Sequence, residues 1–275
     1  MEEILRFDKI SFRYEKERVA LNNMSVTLNA SEKVAVLGNN GAGKSTFFLC
    51  CNGIKKPESG RMFLRQKEIQ WTRKENYLLC QEVGLVFQDP DSQIIAGTVE
   101  AEISFGPMNL RLPEETVRSQ VNDAVRKMQL EEMRFRAPHY LSGGEKKRVS
   151  IADVLAMNPK LLLLDEPAAS LDPANTELLE KNLHMLSEKG LGLVIATHDV
   201  DFAWRWADRI LVFHKGELAA DADPETVFSD SLLLKKCGLA QPILFQVGKI
   251  YKMNPLPRDI SDVEKAAAGK KDSRY

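Results

Sequence analysis

The chain has 275 residues, of which 44% are hydrophobic and 28% are charged, and its formal net charge is −1. This balance is typical of a soluble globular protein, and the length suits one large domain or two small ones. The near-neutral charge excludes a strong electrostatic field for recruiting nucleic acid or an acidic membrane surface.

The chain shows no signal for secretion or for crossing a membrane. Its first residues, MEEILRFDKISF, have neither the basic start nor the long apolar core of a signal peptide. No run approaches the roughly 18 apolar residues of a membrane span. The cysteines form no CxxC pair, and we interpret them as reduced, buried thiols of a cytoplasmic protein.

The first fifth of the chain predicts strands and one helix. Hydrophobic residues alternate from Ile4 to Leu28, which predicts antiparallel strands with turns near Glu15-Lys16 and Asn22-Asn23. Residues 34–38, VAVLG, form a short apolar run typical of a strand buried on both faces. A helix is predicted from Lys44 to Cys51.

Residues 100–157 predict a mainly helical lobe that is inserted between strands of a sheet. A stripe of apolar residues from Val117 to Met128 predicts a helix within 113–130, and a second helix is predicted from about Glu145 to Met157. The run Lys146-Lys147-Arg148 lies beside acidic residues, and we interpret it as a solvated helix face.

The second half predicts further strands in alternation with helices. KLLLLDE and LGLVIATH are typical of buried strands, and between them a helix from about Ala174 to Glu188 can be capped by Asp172. ILVFHKGELAA predicts a hairpin. Alternating strands and helices indicate an α/β fold with a mostly parallel sheet covered on both faces. We assign residues 1–240 to one domain and 241–275 to a C-terminal extension, whose last ten residues we expect to be disordered.

Residues 38–45, GNNGAGKS, match the phosphate-loop pattern between a strand and a helix, which is the context that this motif needs. Glycines let backbone N–H groups surround phosphate oxygens, a lysine reaches the β- and γ-phosphates, and a hydroxyl ligates Mg²⁺. We therefore predict a nucleotide site with Mg²⁺. The predicted contacts are Gly38, Asn39, Asn40, Gly41, Ala42, Gly43, Lys44, Ser45 and Thr46.

Three other strand ends carry polar groups that suit the same chemistry. Asp165 and Glu166 end the strand LLLLDE, so one carboxylate can face Mg²⁺ through water while Glu166 faces the attacking water as general base. Gln88 follows GLVF and can ligate Mg²⁺ or orient water. His198 follows LGLVIAT and can contact the γ-phosphate.

A second glycine-rich turn opens the predicted helix near residue 145. Ser142, Gly143 and Gly144 would present backbone N–H groups to an anion at a helix N-terminus. One nucleotide needs only one phosphate loop, so this second site requires another explanation.

These motifs together, over residues 4–240, resemble the nucleotide-binding subunit of ATP-binding cassette (ABC) transporters. GNNGAGKST, the glutamine after GLVF, LSGGE, LLLLDEP, ASLD and THD occur in the family order. The resemblance implies a P-loop NTPase core with an antiparallel β subdomain and an inserted helical signature lobe. It also implies that Tyr14 stacks on adenine, and that Leu141, Ser142, Gly143, Gly144 and Glu145 cover the ATP of a second subunit. Asp172 would communicate across that dimer, and Ser45, Gln88 and Asp165 would hold Mg²⁺.

Within the family, DPDSQ after Gln88 and FGPMNL at 105–110 resemble energy-coupling-factor ATPases, above all those of cobalt and nickel importers. The resemblance implies a peripheral protein at the cytoplasmic face of the cell membrane, with a transmembrane coupling subunit and a substrate-binding membrane subunit as partners. Ile94, Ile95 and Val99 would dock on the coupling subunit, unless they pack in the core of the lobe instead. Cobalt is our first choice of cargo, before nickel and a vitamin, and both a homodimer and a heterodimer remain possible.

Two other classes of protein were considered. A soluble DNA-maintenance ATPase with the same head would carry coiled-coil arms or zinc modules, but the sequence has no heptads, cysteine-rich knuckles or basic stripe, so we predict no nucleic-acid partner. A regulatory module without turnover is disfavoured by the intact Lys44, Asp165, Glu166 and His198.

Overall fold

The computed structural model describes residues 2–14 and 19–272. Within these ranges no helix combines the length and the apolar character needed to span a membrane. The strands are β1 (Glu3–Arg13), β2 (Val19–Asn29), β3 (Lys33–Leu37), β4 (Ser59–Leu64), β5 (Lys67–Glu68), β6 (Val83–Val86), β7 (Leu161–Asp165), β8 (Gly192–Ala196), β9 (Arg209–His214) and β10 (Glu217–Ala222). The helices are α1 (Lys44–Cys51), α2 (Arg73–Glu82), α3 (Val99–Asn109), α4 (Glu114–Lys127), α5 (Gly143–Leu155), α6 (Pro173–Glu188), α7 (Val200–Trp206), α8 (Pro224–Ser229), α9 (Ser231–Cys237), α10 (Ile243–Ile250) and α11 (Ile260–Asp272).

One sheet is antiparallel, with the strand order β2-β1-β4-β5. The turn predicted at Asn22-Asn23 is wrong, because both residues lie inside β2. There the register with β1 shifts between the pair Ile10–Met24 and the pair Phe12–Leu21. Asn23 has a φ of 48°, and asparagine tolerates this left-handed conformation, so the strand continues through an irregularity instead of turning. The turn predicted at Glu15-Lys16 lies outside the described residues.

The second sheet has the order β10-β9-β3-β8-β7-β6 and is parallel except for the hairpin of β9 with β10, which the sequence predicted. Ala35 and Leu37 belong to one apolar cluster, whereas Val34 and Val36 belong to a cluster on the opposite face. This alternation confirms that β3 is buried on both faces. Parallel strands place their carboxyl ends at one edge, so the loops after β3, β6, β7 and β8 meet there.

The chain between β6 and β7 is mainly helical and contains α3, α4 and α5. Val121, Val125 and Met128 are buried and pack in the same apolar cluster as Leu162 and Leu164 of β7. The interpretation of residues 146–148 as a solvated face is wrong for Lys147, whose exposed fraction is only 1%. Helix α5 is buried on more than one side, so a charged triplet on it cannot all face water.

The C-terminal part of the chain returns to the main core. Asp172 caps α6, as predicted, by accepting a hydrogen bond from the backbone N–H of Asn175, with Pro173 as the first helical residue. The indole of Trp204 in α7 donates to the carbonyl oxygen of Pro257 at 2.8 Å, which fixes the segment before α11. Helix α11 extends to Asp272 and so includes part of the last ten residues, for which the sequence predicts disorder. Residues 273–275 lie outside the described part.

Candidate functional site

The carboxyl edge of the parallel sheet contains a cavity of about 440 Å³. Its wall is formed by the phosphate loop, by the polar residues that follow β6, β7 and β8, and by the start of β2. The lining residues are Tyr14, Val19, Ala20, Asn39, Asn40, Gly41, Ala42, Gly43, Lys44, Ser45, Thr46, Gln88, Asp165, Glu166 and His198. The structure therefore brings together the candidate residues from four separate motifs, with the first phosphate-loop residue, Gly38, just behind the wall.

The phosphate loop is shaped by glycine at the point where it enters α1. Gly43 has a φ of 110°, and a Cβ at this position would lie 2.6 Å from the carbonyl oxygen of Ala20. Only glycine fits both the backbone conformation and this close approach. The loop thus leads directly into a helix N-terminus whose N–H groups are available to an anion.

Lys44 is the buried cation of this loop. Its Nζ donates to the carbonyl oxygen of Gly38 at 2.6 Å, and its exposed fraction is 7%. Burial lowers the pKa of Lys44, while the carboxylates of Glu166 and Asp165 oppose this change. Phosphate oxygens bound in this loop could accept from Lys44 Nζ in place of the Gly38 carbonyl oxygen. Their negative charge would also favour the charged form of the lysine.

Glu166 and His198 form a hydrogen-bonded pair across two strand ends. The Nδ1 atom of His198 lies 2.9 Å from Oε2 of Glu166, whose side chain is 12% exposed, whereas that of His198 is 76% exposed. Glu166 has a φ of 45°, and its backbone N–H donates to the carbonyl oxygen of Ala196 at 2.9 Å. This uncommon backbone conformation turns the side chain of Glu166 away from the strand direction of Asp165. An exposed imidazole can thereby orient the partly buried carboxylate.

Ser45, Gln88 and Asp165 line the same cavity and provide hydroxyl, amide and carboxylate oxygens. Hard oxygen donors of this kind, few in number and with room for water, are what Mg²⁺ prefers in nucleotide sites. The donor set therefore fits a Mg²⁺ ion that keeps several water ligands. The chemistry that the ion would supply is neutralisation of charge on phosphate oxygens.

Tyr14 and the start of β2 also line the cavity. The hydroxyl of Tyr14 lies 3.2 Å from Oγ1 of Thr46, and its ring packs edge-on against Phe12 at a centroid distance of 5.1 Å. The ring remains 47% exposed, as a stacking platform must be. Val19 and Ala20 are the residues of β2 in this wall, and the sequence offered no signal for them because they belong to an ordinary strand.

The signature residues lie at the N-terminus of α5 and not in this cavity. Ser142 and Gly143 are exposed, whereas Leu141 and Gly144 are buried. Ser142 and Glu145 form a capping box: the backbone N–H of Glu145 donates to Oγ of Ser142 at 3.3 Å, and the backbone N–H of Ser142 donates to the Glu145 carboxylate at 2.7 Å. Among the described residues that line the nucleotide cavity, none belongs to 141–145.

Asp172 and the signature turn are neighbours in this chain through Asn175. Both the backbone N–H and the side-chain amide of Asn175 donate to the carboxylate of Asp172, at 2.9 and 2.6 Å. A Cβ on Gly144 would lie 2.4 Å from Oδ1 of Asn175, so any larger residue there would displace the Asn175 side chain. Asn175 is not among the residues predicted from the sequence, and its position three residues after Asp172 is the only local signal for it.

The structure changes the group of residues predicted to dock on a membrane subunit. Val99 is not accessible for docking, and Ile94 is only partly accessible. Val99 is fully buried in the apolar cluster of the helices and β7, and Ile94 is partly buried against the same cluster. Only Ile95 is freely accessible, with an exposed fraction of 71%. The core-packing alternative therefore holds for Val99 because it begins α3, whose inner face covers the core.

Comparison with known proteins agrees with these motifs. The family model described as ABC transporter matches residues 21–169. The energy-coupling factor transporter ATP-binding protein EcfA2 of Methanospirillum hungatei is 41% identical over 269 residues, which are 96% of this chain and 68% of that protein. EcfA of Methanocaldococcus jannaschii is 41% identical over 239 residues, which are 87% of this chain and 86% of that protein.

Solved structures give the same result. The structure of cbiO1 from Clostridium perfringens, described as part of the ABC transporter complex cbiONQ, is 36% identical, has a TM-score of 0.77, and is matched over 92% of this chain and 100% of that chain. The dimeric cassette MJ0796 in a post-hydrolysis state bound to ADP and Pi is 26% identical with a TM-score of 0.72, over 80% of this chain and 99% of that chain. From the fold, the cavity and these relatives together, the chain belongs to the ABC transporter family and is an ATP-hydrolysing subunit of the energy-coupling factor type.

Proposed function

We propose that two such ATPase subunits pack head to tail and enclose ATP between the phosphate loop of one subunit and the signature turn of the other. The observation that carries this proposal is the separation within one chain: Ser142 and Gly143 are exposed, yet they do not line the cavity around Lys44. The dimeric form of the 26% identical cassette supports the arrangement. The second subunit is either an identical chain or a close homologue, because this chain carries both halves of the site.

Within the cavity each residue has a distinct role. Lys44 and the loop N–H groups hold the β- and γ-phosphates, while Ser45, Asp165 and Gln88 hold Mg²⁺. Glu166 accepts a proton from the water that attacks the γ-phosphorus, and His198 orients the Glu166 carboxylate through their 2.9 Å contact. Tyr14 stacks on the adenine.

ATP favours the closed dimer because both subunits contact the same γ-phosphate, and hydrolysis removes that shared contact. The two states then differ in contact free energy, which is the requirement for a switch. Asp172, which accepts from Asn175 beside the signature turn, communicates between the two sites. Closure would drive a transmembrane coupling subunit and a substrate-binding membrane subunit at the cytoplasmic face of the membrane, for uptake of cobalt or, as the alternatives, nickel or a vitamin.

Complementation between two inactive chains tests the shared site. One chain carries Lys44→Ala and the other Gly143→Asp, a change that the structure tolerates because no atom lies within 4 Å of a Cβ at Gly143. A mixed dimer has one composite site with both defects and one with neither, so mixing is expected to restore hydrolysis. No recovery despite demonstrated subunit exchange counts against the shared site, unless both sites must fire together.

A cross-link removes that ambiguity. Cysteines placed near Ser45 in one chain and near Ser142 in the other are expected to be joined by a short bifunctional thiol cross-linker with ATP present and far less without it. Because this readout needs no turnover, it reports the arrangement of the dimer directly.

Docking on the coupling subunit is tested at Ile95, which is exposed, and at Ile94, which is partly buried. Ile95→Asp is expected to leave the melting temperature of the isolated chain unchanged and to prevent co-purification with the membrane subunits, because a carboxylate would be buried there. Ile94→Asp serves as the contrast, since it is partly buried and should destabilise the isolated chain. Reconstituted complexes offered labelled cobalt, nickel or vitamins in turn then identify the cargo.

A further inference from the structure

Lys147 is a buried lysine that the functions assigned above do not use. It lies in α5, its exposed fraction is 1%, and its Nζ donates to the carbonyl oxygens of Phe87 at 3.1 Å and Gln88 at 2.6 Å. Among the described residues, no carboxylate oxygen lies within ion-pairing distance of this Nζ, although the carboxylates of Asp89 and Asp165 are near enough to favour its charged form. Two backbone carbonyls just after β6 are thus its hydrogen-bond partners.

Burying an ammonium group without a directly paired carboxylate is costly, even with Asp89 and Asp165 nearby, so this lysine needs a reason. Apolar packing is not that reason, because methionine would fill a comparable volume without the desolvation cost. Methionine, however, could not donate hydrogen bonds to the two carbonyl oxygens. The feature that distinguishes lysine here is therefore its attachment to the backbone of Gln88.

A second side chain ties the same segment to the same helix. The Oε1 atom of Gln93 accepts from the backbone N–H of Phe87 at 3.2 Å, and its Nε2 atom donates to the carbonyl oxygen of Ser150 at 3.0 Å. Both polar backbone groups of Phe87 are consequently bound by side chains that connect to α5. The segment 87–93 is thus coupled to the position of α5.

We propose that Lys147 is a positioning residue for ATP hydrolysis, which fixes Gln88 in the nucleotide cavity to the helix whose N-terminus carries the signature turn. Lys147 is five residues beyond Ser142, which is about 7.5 Å along a helix at 1.5 Å per residue. The inference rests on the proposed function: one end of α5 meets the partner's ATP, and Lys147 passes the position of that helix to Gln88 at this chain's own ATP.

The test compares three single variants in the full chain. Lys147→Met keeps the length and removes the donors, Lys147→Gln keeps an uncharged N–H donor, and Lys181→Met removes an exposed charge whose partner is Glu177 in α6. We expect Lys147→Met to lower kcat about 10- to 100-fold, as misplacement of a catalytic group does. ATP affinity without Mg²⁺ stays within about two-fold, and the Mg²⁺ concentration for half-maximal rate rises. Lys147→Gln restores part of kcat, and Lys181→Met stays near wild type.

Hydrogen–deuterium exchange of residues 87–93 gives a readout that does not need turnover. In Lys147→Met this segment should exchange faster while β6 is unchanged. Equal kcat and equal exchange in wild type and Lys147→Met would overturn the proposal, as would identical losses in the Met and Gln variants. Should Lys147→Met not fold, Gln93→Met removes a second link between this segment and α5, and the same changes in kcat and exchange are expected. A third link, between Lys146 and Asp91, is retained in both variants. A wild-type chain that hydrolyses ATP at its full rate as a monomer would contradict the proposed function instead, and the exchange comparison would still decide the attachment of Gln88.

Discussion

The phosphate loop and the signature turn both place glycines at the start of a helix, but the first turns of the two helices are satisfied differently. Helix α1 begins after Gly43, which has no side chain to accept from the helix N–H groups. Helix α5 begins after Ser142, where the capping box with Glu145 uses two N–H groups. The first turn of α1 is open to a ligand, whereas in the first turn of α5 the capping box occupies the N–H groups of Ser142 and Glu145 but not those of Gly143 and Gly144.

Charge strengthens this difference. Lys44 adds a cation beside the phosphate loop, whereas Glu145 places a carboxylate in the first turn of α5. The backbone N–H of Ser142 lowers the pKa of Glu145, so the carboxylate is ionised at neutral pH. The phosphate loop is therefore a binding site in a single chain. The signature turn is expected to bind phosphate only when a loaded partner presents it at short range.

The largest effect is expected from Glu166→Gln, which leaves both turns intact and removes the proposed base. An amide keeps the shape but cannot accept the proton of water, and loss of a general base costs about 10²–10⁴ in rate. ATP binding should be retained, so size-exclusion chromatography should show an ATP-bound dimer that persists. Near-normal hydrolysis by this variant would remove Glu166 from the role of base.

Smaller effects are expected from two variants that each disable one of the two turns. Lys44→Ala should weaken ATP binding by the monomer about 10- to 100-fold, because a charge-assisted contact to phosphate is lost. Gly143→Asp should leave monomer binding unchanged and prevent ATP-dependent dimerisation. Titration of a fluorescent ATP analogue at low protein concentration measures the first quantity, and analytical ultracentrifugation the second. If Gly143→Asp weakened monomer binding as much as Lys44→Ala, the two turns would not have different roles.

The anchoring of α5 adds a pH dependence. Burial raises the pKa of Asp153 in α5 to about 7, the hydrogen bond from Gln93 opposes the rise, and the carboxylate of Glu102 adds to it. The ordinary value is 3.8, so the native state binds the proton more tightly, and stability is lost as pH rises from about 4 through 7. Asp153→Asn cannot ionise but can still accept from Gln93. Its melting temperature should exceed that of wild type by about 2–4 °C or more at pH 8, with a difference that shrinks towards pH 5. A difference independent of pH would contradict a buried ionisable group.

The elements nearest the nucleotide were the most predictable from sequence. Residues 34–51 combine an apolar strand, a phosphate loop and a helix, and the bounds Lys44–Cys51 predicted for α1 are those observed. Local pattern suffices there because each residue's neighbours along the chain are also its structural constraints. The polar strand ends at Gln88, Asp165 and His198 were found for the same reason, since parallel strands bring them to one edge.

The predictions that failed depended on contacts from distant parts of the chain. Lys147 looks like part of a solvated basic run until the segment after β6 is seen against α5. Val99 looks available for docking until the core of the helices encloses it. The dipeptide Asn22-Asn23 is typical of a turn, but here it forms an irregularity within β2. In each case the residue's environment depends on contacts with distant parts of the chain, which cannot be inferred from local pattern.

The smallest effect concerns the carboxylate that caps the signature turn. Glu145→Gln preserves the capping box, since either residue can accept the Ser142 N–H, and removes a negative charge from the place where the partner's γ-phosphate would approach. Charges in the first turn of a helix contribute about 0.3–1 kcal/mol, so the ATP-bound dimer should tighten about two- to five-fold. The comparison is best made in the Glu166→Gln background, where ATP persists, by sedimentation at several protein concentrations. Glu131→Gln, which changes the same charge in a short turn before the signature, is the control and should have no effect. A dimer weakened by Glu145→Gln would show that the carboxylate itself makes a favourable contact across the interface, and the signature turn would then be a site completed by Glu145 rather than one only capped by it.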